Sequence, residues 1–230
     1  MDFVITGDGS KTIFNSQIGE HYHSKHGAVQ ESRHVFLKSG LQFFLTNETA
    51  GPKHQVAILE VGFGTGLNFL LTADFCTEHT IGLNYTGIEA YPLPYDIIKA
   101  TGYEEFINPT TWNCFLTNYE HALSKKRALE RTVVLEIAHE AVLDFHSETT
   151  YDIIYFDAFA AVHQPEMWTE QTLTHVCQFL KSGGVFVTYA ITGNLKRIMK
   201  SLGFSIEKAP GAPGKREMLR ATKLADEPIG

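Results

Sequence analysis

From Gln55 onward, short apolar runs rich in Val, Ile, Tyr and Phe alternate with stretches of helical periodicity. The runs VAILEV (56–61), YTGIEA (85–90), RTVVLEI (131–137), YDIIYFD (151–157) and GVFVTYA (184–190) have the length and composition of buried strands. Helical patterns fall between them over 67–76, 95–123, a short stretch after His139, and 165–180. This alternation predicts an α/β sheet of mostly parallel strands, whose ligands sit beyond the carboxyl ends of the strands. Past Ala190 the order changes to a helix over 193–202, a strand over 204–208, a Pro/Gly loop over 209–215 and a strand over 216–222. Two strands joined by a loop, with no helix between them, read as an antiparallel hairpin at the sheet edge. Residues 1–50 read as an extension packed on this core: strands over 3–6 and 11–14, a His-rich loop, and a helix over 33–44.

Bulk properties narrow the class. A chain of 230 residues that is 43% hydrophobic and 20% charged can bury one sizeable core. Three widely spaced cysteines, Cys76, Cys114 and Cys177, without a Cys-x-x-Cys pair, write neither a disulfide framework nor a zinc ribbon. No basic segment precedes an apolar one at the start, and no window reaches the ~18 apolar residues of a membrane span. A soluble protein of the cytoplasm, with no membrane partner, is expected. The net charge of -7 argues against coating nucleic acid by bulk attraction. Its distribution is uneven, however. Residues 181–223 hold nine Lys or Arg against two Glu, so this third carries +7 and the remainder -14. Such a block is either a solvated face or a patch for an anionic partner.

The stretch ILEVGFGTGLNF (58–69) places Glu60, Gly62, Gly64 and Gly66 between a strand and a helix. Dinucleotide sites usually read G-x-G-x-x-G, and here the third glycine comes one residue early. That spacing is the glycine loop of S-adenosylmethionine (SAM) methyltransferases, and the terminal hairpin belongs to their class I, Rossmann-like sheet. Glu89 ends the next strand, where a carboxylate can accept both ribose hydroxyls of a nucleoside. An acid there serves NAD as well as SAM. His139 and Glu140, after the third strand, stand where a side chain contacts adenine or simply caps a turn. Asp157, after the fourth strand, lies beside the crevice, and many amino-group methyltransferases aim oxygens at the acceptor nitrogen from this point. The run HYHSKH (21–26) invites a zinc reading, but His21, His23 and His26 have no acidic or cysteine partner nearby. A polar lid carrying Tyr22 and Ser24 toward the substrate is the better expectation, with no metal.

Together, ESRHVFL (31–37), EVGFGTGLNFL (60–70), GIEAYPL (87–93), DAFAAVHQPEMW (157–168) and PGAPGKREML (210–219) resemble the methyltransferase domain of the bacterial enzymes that make 5-methylaminomethyl-2-thiouridine at the tRNA wobble position. The likeness spans about Tyr22 to Thr222 and is to the stand-alone form, without the fused FAD oxidoreductase. It implies SAM as methyl donor, no FAD in this chain, tRNA as partner, and a separate oxidoreductase that supplies the aminomethyl substrate. It puts Gly62, Gly64, Gly66 and Asn68 beside SAM, together with Glu60, and makes Glu89 the ribose ligand. Asp157 and Phe159 fall beside the methyl group, Asp157 as the catalytic residue. Phe159 then serves cofactor and substrate together, and Lys215 and Arg216 face the tRNA. The chain departs from the family pattern at Ala161 and His163, where proline and lysine are common, and at His139, where an aspartate is. The residues alone leave open an NAD oxidoreductase, a SAM-binding module without catalysis, and a methyltransferase for another amine.

Overall fold

The computed structural model describes residues 2–46, 54–130 and 132–225. The expected boundary near residue 50, and Arg131 at the start of the third expected strand, lie outside the described residues. The chain opens with β1 (Asp2–Ile5), β2 (Lys11–Asn15) and β3 (Glu20–His21), which form a small antiparallel sheet. The central sheet comprises β4 (Gln55–Val61), β5 (Gly82–Ile88), β6 (Arg127–Ala128), β7 (Val133–Ala138), β8 (Tyr151–Phe156), β9 (Leu180–Thr188), β10 (Phe204–Pro210) and β11 (Glu217–Lys223). Its order is β10-β11-β9-β8-β4-β5-β7-β6. Strands β7, β5, β4, β8 and β9 run parallel, and β11 returns antiparallel between β9 and β10. The expected hairpin thus stands at one edge, and the two-residue β6 closes the other.

The chain winds outward from β4 in one direction through β5 and β7, then crosses over to β8 and β9. The switch point falls between β4 and β8, and a crevice opens there at the carboxyl ends of the strands. Both strands are buried on both faces, which is why their sequences are continuous apolar runs rather than alternating ones. On one face, Leu67, Leu70, Phe69 and Phe115 pack against Ile58, Tyr85 and Leu135. On the other, Trp168, Leu173, Ile198 and Met199 pack against Leu59, Ile154 and Phe186. Ile13, Val29, Val35, Phe36 and Leu41 of the N-terminal extension belong to the first of these cores, continuous with the sheet.

Four elements differ from the expectation. The helix expected over 33–44 begins at Ala28, passes through ten residues of π-helix (Arg33–Gln42) and ends at Thr46. A β-carbon on Gly40 would stand only 2.9 Å from the Tyr155 ring, so glycine lets this wide helix lie close on the sheet. The helical region 95–123 is split into Tyr95–Ala100, a 3-10 turn Tyr103–Glu105 and Pro109–Ala122, the last capped by the Asn108 side chain. The short helix expected after His139 is a turn without helical hydrogen-bonding, and the 165–180 helix is a 3-10 turn Pro165–Trp168 followed by Glu170–Cys177.

Gly87 tests how tightly the glycine loop is seated. A β-carbon at this position would overlap the ring of Phe63, which is itself packed against Phe69 and Phe115. Gly87→Ala is expected to cost ~1–3 kcal/mol by overpacking. Differential scanning calorimetry should read this as a melting point lower by several degrees, with SAM affinity falling in parallel because Phe63 belongs to the loop.

Candidate active site

The loop after β4 folds back onto its neighbours. The N–H groups of Gly62 and Phe63 both donate to the Ile88 carbonyl, and the Asp157 N–H donates to the Val61 carbonyl. Gly62 has φ +87°, and a β-carbon there would lie 2.6 Å from the Asp157 carbonyl oxygen. Glycine is required at this point because the loop and the end of β8 touch backbone to backbone. Gly64, at φ +52°, faces the ring of Tyr22. Glu89 holds the loop from the side, since its Oε2 accepts from the Gly64 N–H (2.9 Å) and its Oε1 from the Tyr91 N–H (3.0 Å).

Beneath the loop, the Asn68 amide joins two carboxylates. Its Nδ2 donates to Glu60 Oε1 and to Asp157 Oδ2, both at 2.8 Å. The Tyr85 hydroxyl donates to the other oxygen of Glu60 (2.8 Å). Glu60 is fully buried, and burial followed by the nearby Asp157 charge pushes its carboxyl well above the usual range. Asp157 is pushed up to about 7, chiefly by burial and then by Glu31. The Asn68 hydrogen bond and the Lys215 charge oppose that rise, and Glu20 adds to it.

This geometry bears on the fit of SAM. Both amide hydrogens of Asn68 are spent on carboxylates, so its Oδ1 must face the other way, and that oxygen is buried without a partner. A buried acceptor left unpaired costs ~1–3 kcal/mol. The ammonium of an amino acid would satisfy it, and SAM carries one. With the glycine loop above and the Glu89 carboxylate at the end of β5, the residues present fit this cofactor.

The other wall of the crevice comes from the two ends of the chain. Tyr22 meets Phe159 edge to face, ring centroids 5.2 Å apart. The Glu20 carboxylate accepts from the Ala160 N–H (2.8 Å) and the Tyr189 hydroxyl donates to the Ala158 carbonyl (2.9 Å). Glu31, buried, pairs with Lys215 (Nζ to Oε1, 2.6 Å), and the same ammonium lies 3.9 Å from the centroid of the Tyr189 ring. Ser24 contributes its N–H to Glu31 Oε2.

Most residues singled out from the sequence therefore meet at one place: Glu60, Gly62, Gly64, Gly66, Asn68, Glu89, Asp157, Phe159, Tyr22 and Ser24. Lys215 meets them too, but its ammonium turns into the crevice rather than outward, while Arg216 is exposed. His139 is exposed and Glu140 half-buried at the end of β7. His23 is not part of a lid. It is buried, its Nε2 shares a hydrogen bond with the Thr65 hydroxyl (2.8 Å), and burial lowers its pKa to about 4. Trp168 is a core residue whose Nε1 donates to the Phe159 carbonyl. Among the described residues no cluster of three or more His, Cys, Asp or Glu could hold a metal ion. Sequence reasoning passed over Glu20, Glu31, Tyr91 and Tyr189. Glu31 and Tyr91 lay within two of the family-like segments, and Tyr91 is 83% exposed directly beyond the Glu89 strand end.

A parallel sheet with a glycine loop, a strand-end acid and an edge hairpin defines a class I methyltransferase, and comparison with known proteins agrees. Residues 105–224, about half of the chain, match the S-adenosyl-L-methionine-dependent methyltransferase family, and the chain belongs to it. It is 31% identical over 223 residues to the tRNA 5-methylaminomethyl-2-thiouridine biosynthesis bifunctional protein MnmC of Magnetococcus marinus, covering 91% of this chain and 32% of that protein. The protein of the same name from Aromatoleum aromaticum is 30% identical, with coverages of 94% and 34%. The chain thus spans about a third of the length of these curated relatives. In fold it resembles the crystal structure of MNMC2 from Aquifex aeolicus, with a TM-score of 0.76, 22% identity, and coverage of 100% of this chain and 72% of that one. Among the described residues no helix is long and apolar enough to cross a membrane.

The raised pKa of Asp157 has a measurable sign. The unfolded chain loses this proton near 3.8 and the folded protein near 7, so between these values the native state binds more protons and stability falls as pH rises. Asp157→Asn removes the effect. Its melting temperature should match the parent protein near pH 4 and exceed it at pH 8, as differential scanning fluorimetry at the two pH values would read.

Proposed function

We propose that this chain is a SAM-dependent N-methyltransferase that converts 5-aminomethyl-(2-thio)uridine at the tRNA wobble position to its 5-methylaminomethyl form. The observation that carries the reading is an acidic crevice beside the glycine loop, where Glu20, Glu31 and Asp157 converge. Such a surplus of carboxylates favours a cationic group, and an aminomethyl nucleoside near neutral pH is one. The names of the relatives from Magnetococcus and Aromatoleum support the same substrate.

When bound, SAM supplies a methyl group activated on a sulfonium sulfur. The chain's own part is to hold and deprotonate the acceptor. Asp157 Oδ1, which Asn68 does not engage, would accept a hydrogen bond from the substrate ammonium and take its proton, freeing the nitrogen lone pair to receive the methyl group that SAM would supply. A carboxylate with an ordinary pKa is a weak base for this step. Burial and the neighbouring acids bring Asp157 to about 7, near the working pH, where base catalysis is most effective. The Asn68 amide fixes the carboxylate, and the Tyr22–Phe159 pair walls one side of the crevice against water, which orients the amine for attack. Glu89 keeps lone pairs for the ribose, and Glu60 acts through Asn68. His139 and Glu140, beyond the end of β7, would hold the adenine.

Of the basic third of the chain, Lys181, Arg220 and Lys223 are held internally by Asp152, by Glu207, and by the Cys177 and Leu180 carbonyls. Lys196 and Lys200, on the helix Gly193–Ser201, with Arg197, whose Nη1 donates to Asn194 on the same helix, and the exposed Lys208 and Arg216 are available to tRNA phosphates. Methyl transfer to an amine needs neither FAD nor a metal, and the step that supplies the aminomethyl group is a different reaction. The enzyme works where mature tRNA is, in the cytoplasm.

Mass spectrometry of nucleosides after incubation with SAM and tRNA carrying the 5-aminomethyl group should find a gain of one CH2 on that nucleoside. Methylation of a different amine would replace this reading. Asp157→Ala should lower turnover ~10²–10⁴-fold while SAM binding, read by calorimetry, stays within a few-fold. Reversing the charge of Arg197 and Arg216 should raise KM for tRNA and flatten its salt dependence, with kcat little changed.

A further inference from the structure

The Glu31–Lys215 ion pair takes no direct part in the methyl transfer. It joins the helix of the N-terminal extension to the loop between β10 and β11, which are 184 positions apart in the chain. Few ion pairs here are so enclosed. Glu31 is 8% exposed, and its second oxygen is used by the Ser24 N–H. The Lys215 ammonium is also seated on the Tyr189 ring, whose hydroxyl is tied to the carbonyl of Ala158, the residue after Asp157. The loop that carries Lys215 is fixed in turn. Its Gly211 N–H donates to the Arg216 carbonyl, the Lys215 N–H donates to the Ala212 carbonyl, and Gly214, at φ +88°, packs against the His26 ring. The His34 ring is hydrogen-bonded to the Pro210 carbonyl at its base (2.7 Å). An exposed phosphate-gripping lysine would need none of this support.

We propose that Glu31 and Lys215 are positioning residues for methyl transfer: their ion pair, seated on Tyr189, sets the charge state of Asp157 and closes the acceptor side of the crevice. The inference rests on the proposed transfer to an amine, where Asp157 must be ionised to take a proton. The charged and titratable groups around Asp157 are Glu20 on β3, Glu31 on the N-terminal helix, Glu60 on β4, Tyr85 on β5, Tyr189 beyond β9, and Lys215. Lys215 is the one cation among them, and it favours the ionised form of Asp157. Glu31 opposes ionisation directly and supports it indirectly, by holding the cation in place. Neither residue needs to touch the methyl group to act in this way.

Opposite substitutions separate this role from a merely structural one. Lys215→Met removes the cation, and the acid limb of the kcat/KM profile should move up by about one pH unit. Lys215→Arg keeps the charge and should stay near the parent profile. Glu31→Gln keeps an oxygen for Lys215 but removes the negative charge, so the limb should move down by about one unit. The same shifts should appear in a direct carbon-13 titration of the Asp157 carboxyl, assigned by its disappearance in Asp157→Asn. SAM affinity should stay within a few-fold in all three variants, which shows that they fold. Shifts in the same direction, no shift in the carboxyl titration, or a Lys215→Arg variant as displaced as Lys215→Met would overturn the proposal. Opposite shifts in the titration without methylation of aminomethyl tRNA would uphold the electrostatic role and reject the substrate.

Discussion

The crevice depends on one amide held between two carboxylates. Asn68 stands at the start of the helix after the glycine loop, Glu60 near the end of β4 and Asp157 just past the end of β8, so its two hydrogen bonds span the switch point of the sheet. Charged groups this deeply buried are tolerated only when their lone pairs are engaged. Glu60 meets that condition through Asn68 and the Tyr85 hydroxyl. Asp157 meets it on one oxygen, and the other is left to the crevice. The geometry of the glycine loop follows from the same constraint. Gly62 must pass the Asp157 backbone at closer than side-chain distance for the Asn68 amide to reach both acids.

The sequence and the structure agree best where the determinants are local. Short apolar runs set between helical patterns read as buried strands, as β4 and β8 are, and the early third glycine fixes a turn that a side chain would obstruct. Agreement is poorest where a side chain's meaning depends on a distant partner. Lys215 is expected with Arg216 to face tRNA, yet its ammonium meets Glu31 and Tyr189, and no spacing rule links residues 31, 189 and 215. His23 sat in a polar run that suggested a lid, but its ring turns inward to Thr65 while Tyr22 beside it faces Phe159. The turn after His139 was expected as a helix, and the chain there instead drops straight from the end of β7 into Asp144 and Phe145 with a single turn bond.

The N-terminal extension and the C-terminal hairpin each lack a complete site alone. The extension supplies Glu20, Tyr22 and Glu31, and the hairpin loop supplies Lys215. Between them lie the Asp157–Ala160 backbone and Tyr189, to which both are hydrogen-bonded or stacked. Charge also divides along this seam: the donor side is held by backbone contacts and the Glu89 carboxylate, and the acceptor side by three carboxylates and one ammonium.

That imbalance gives the crevice a direction. With carboxylates outnumbering cations, like charges crowd the crevice, and Asp157 relieves part of that repulsion by holding its proton to about pH 7. A cationic ligand relieves it differently, by letting Asp157 ionise without cost. A pKa near neutrality lets the same carboxyl hold or release its proton according to whether an ammonium group stands beside it, so it can bind the charged substrate and also take its proton. A carboxylate with an ordinary pKa would be ionised throughout, and would hold the amine by charge without being able to take its proton. The acids that make this fold harder to stabilise at neutral pH are in this way the ones that give Asp157 its chemistry.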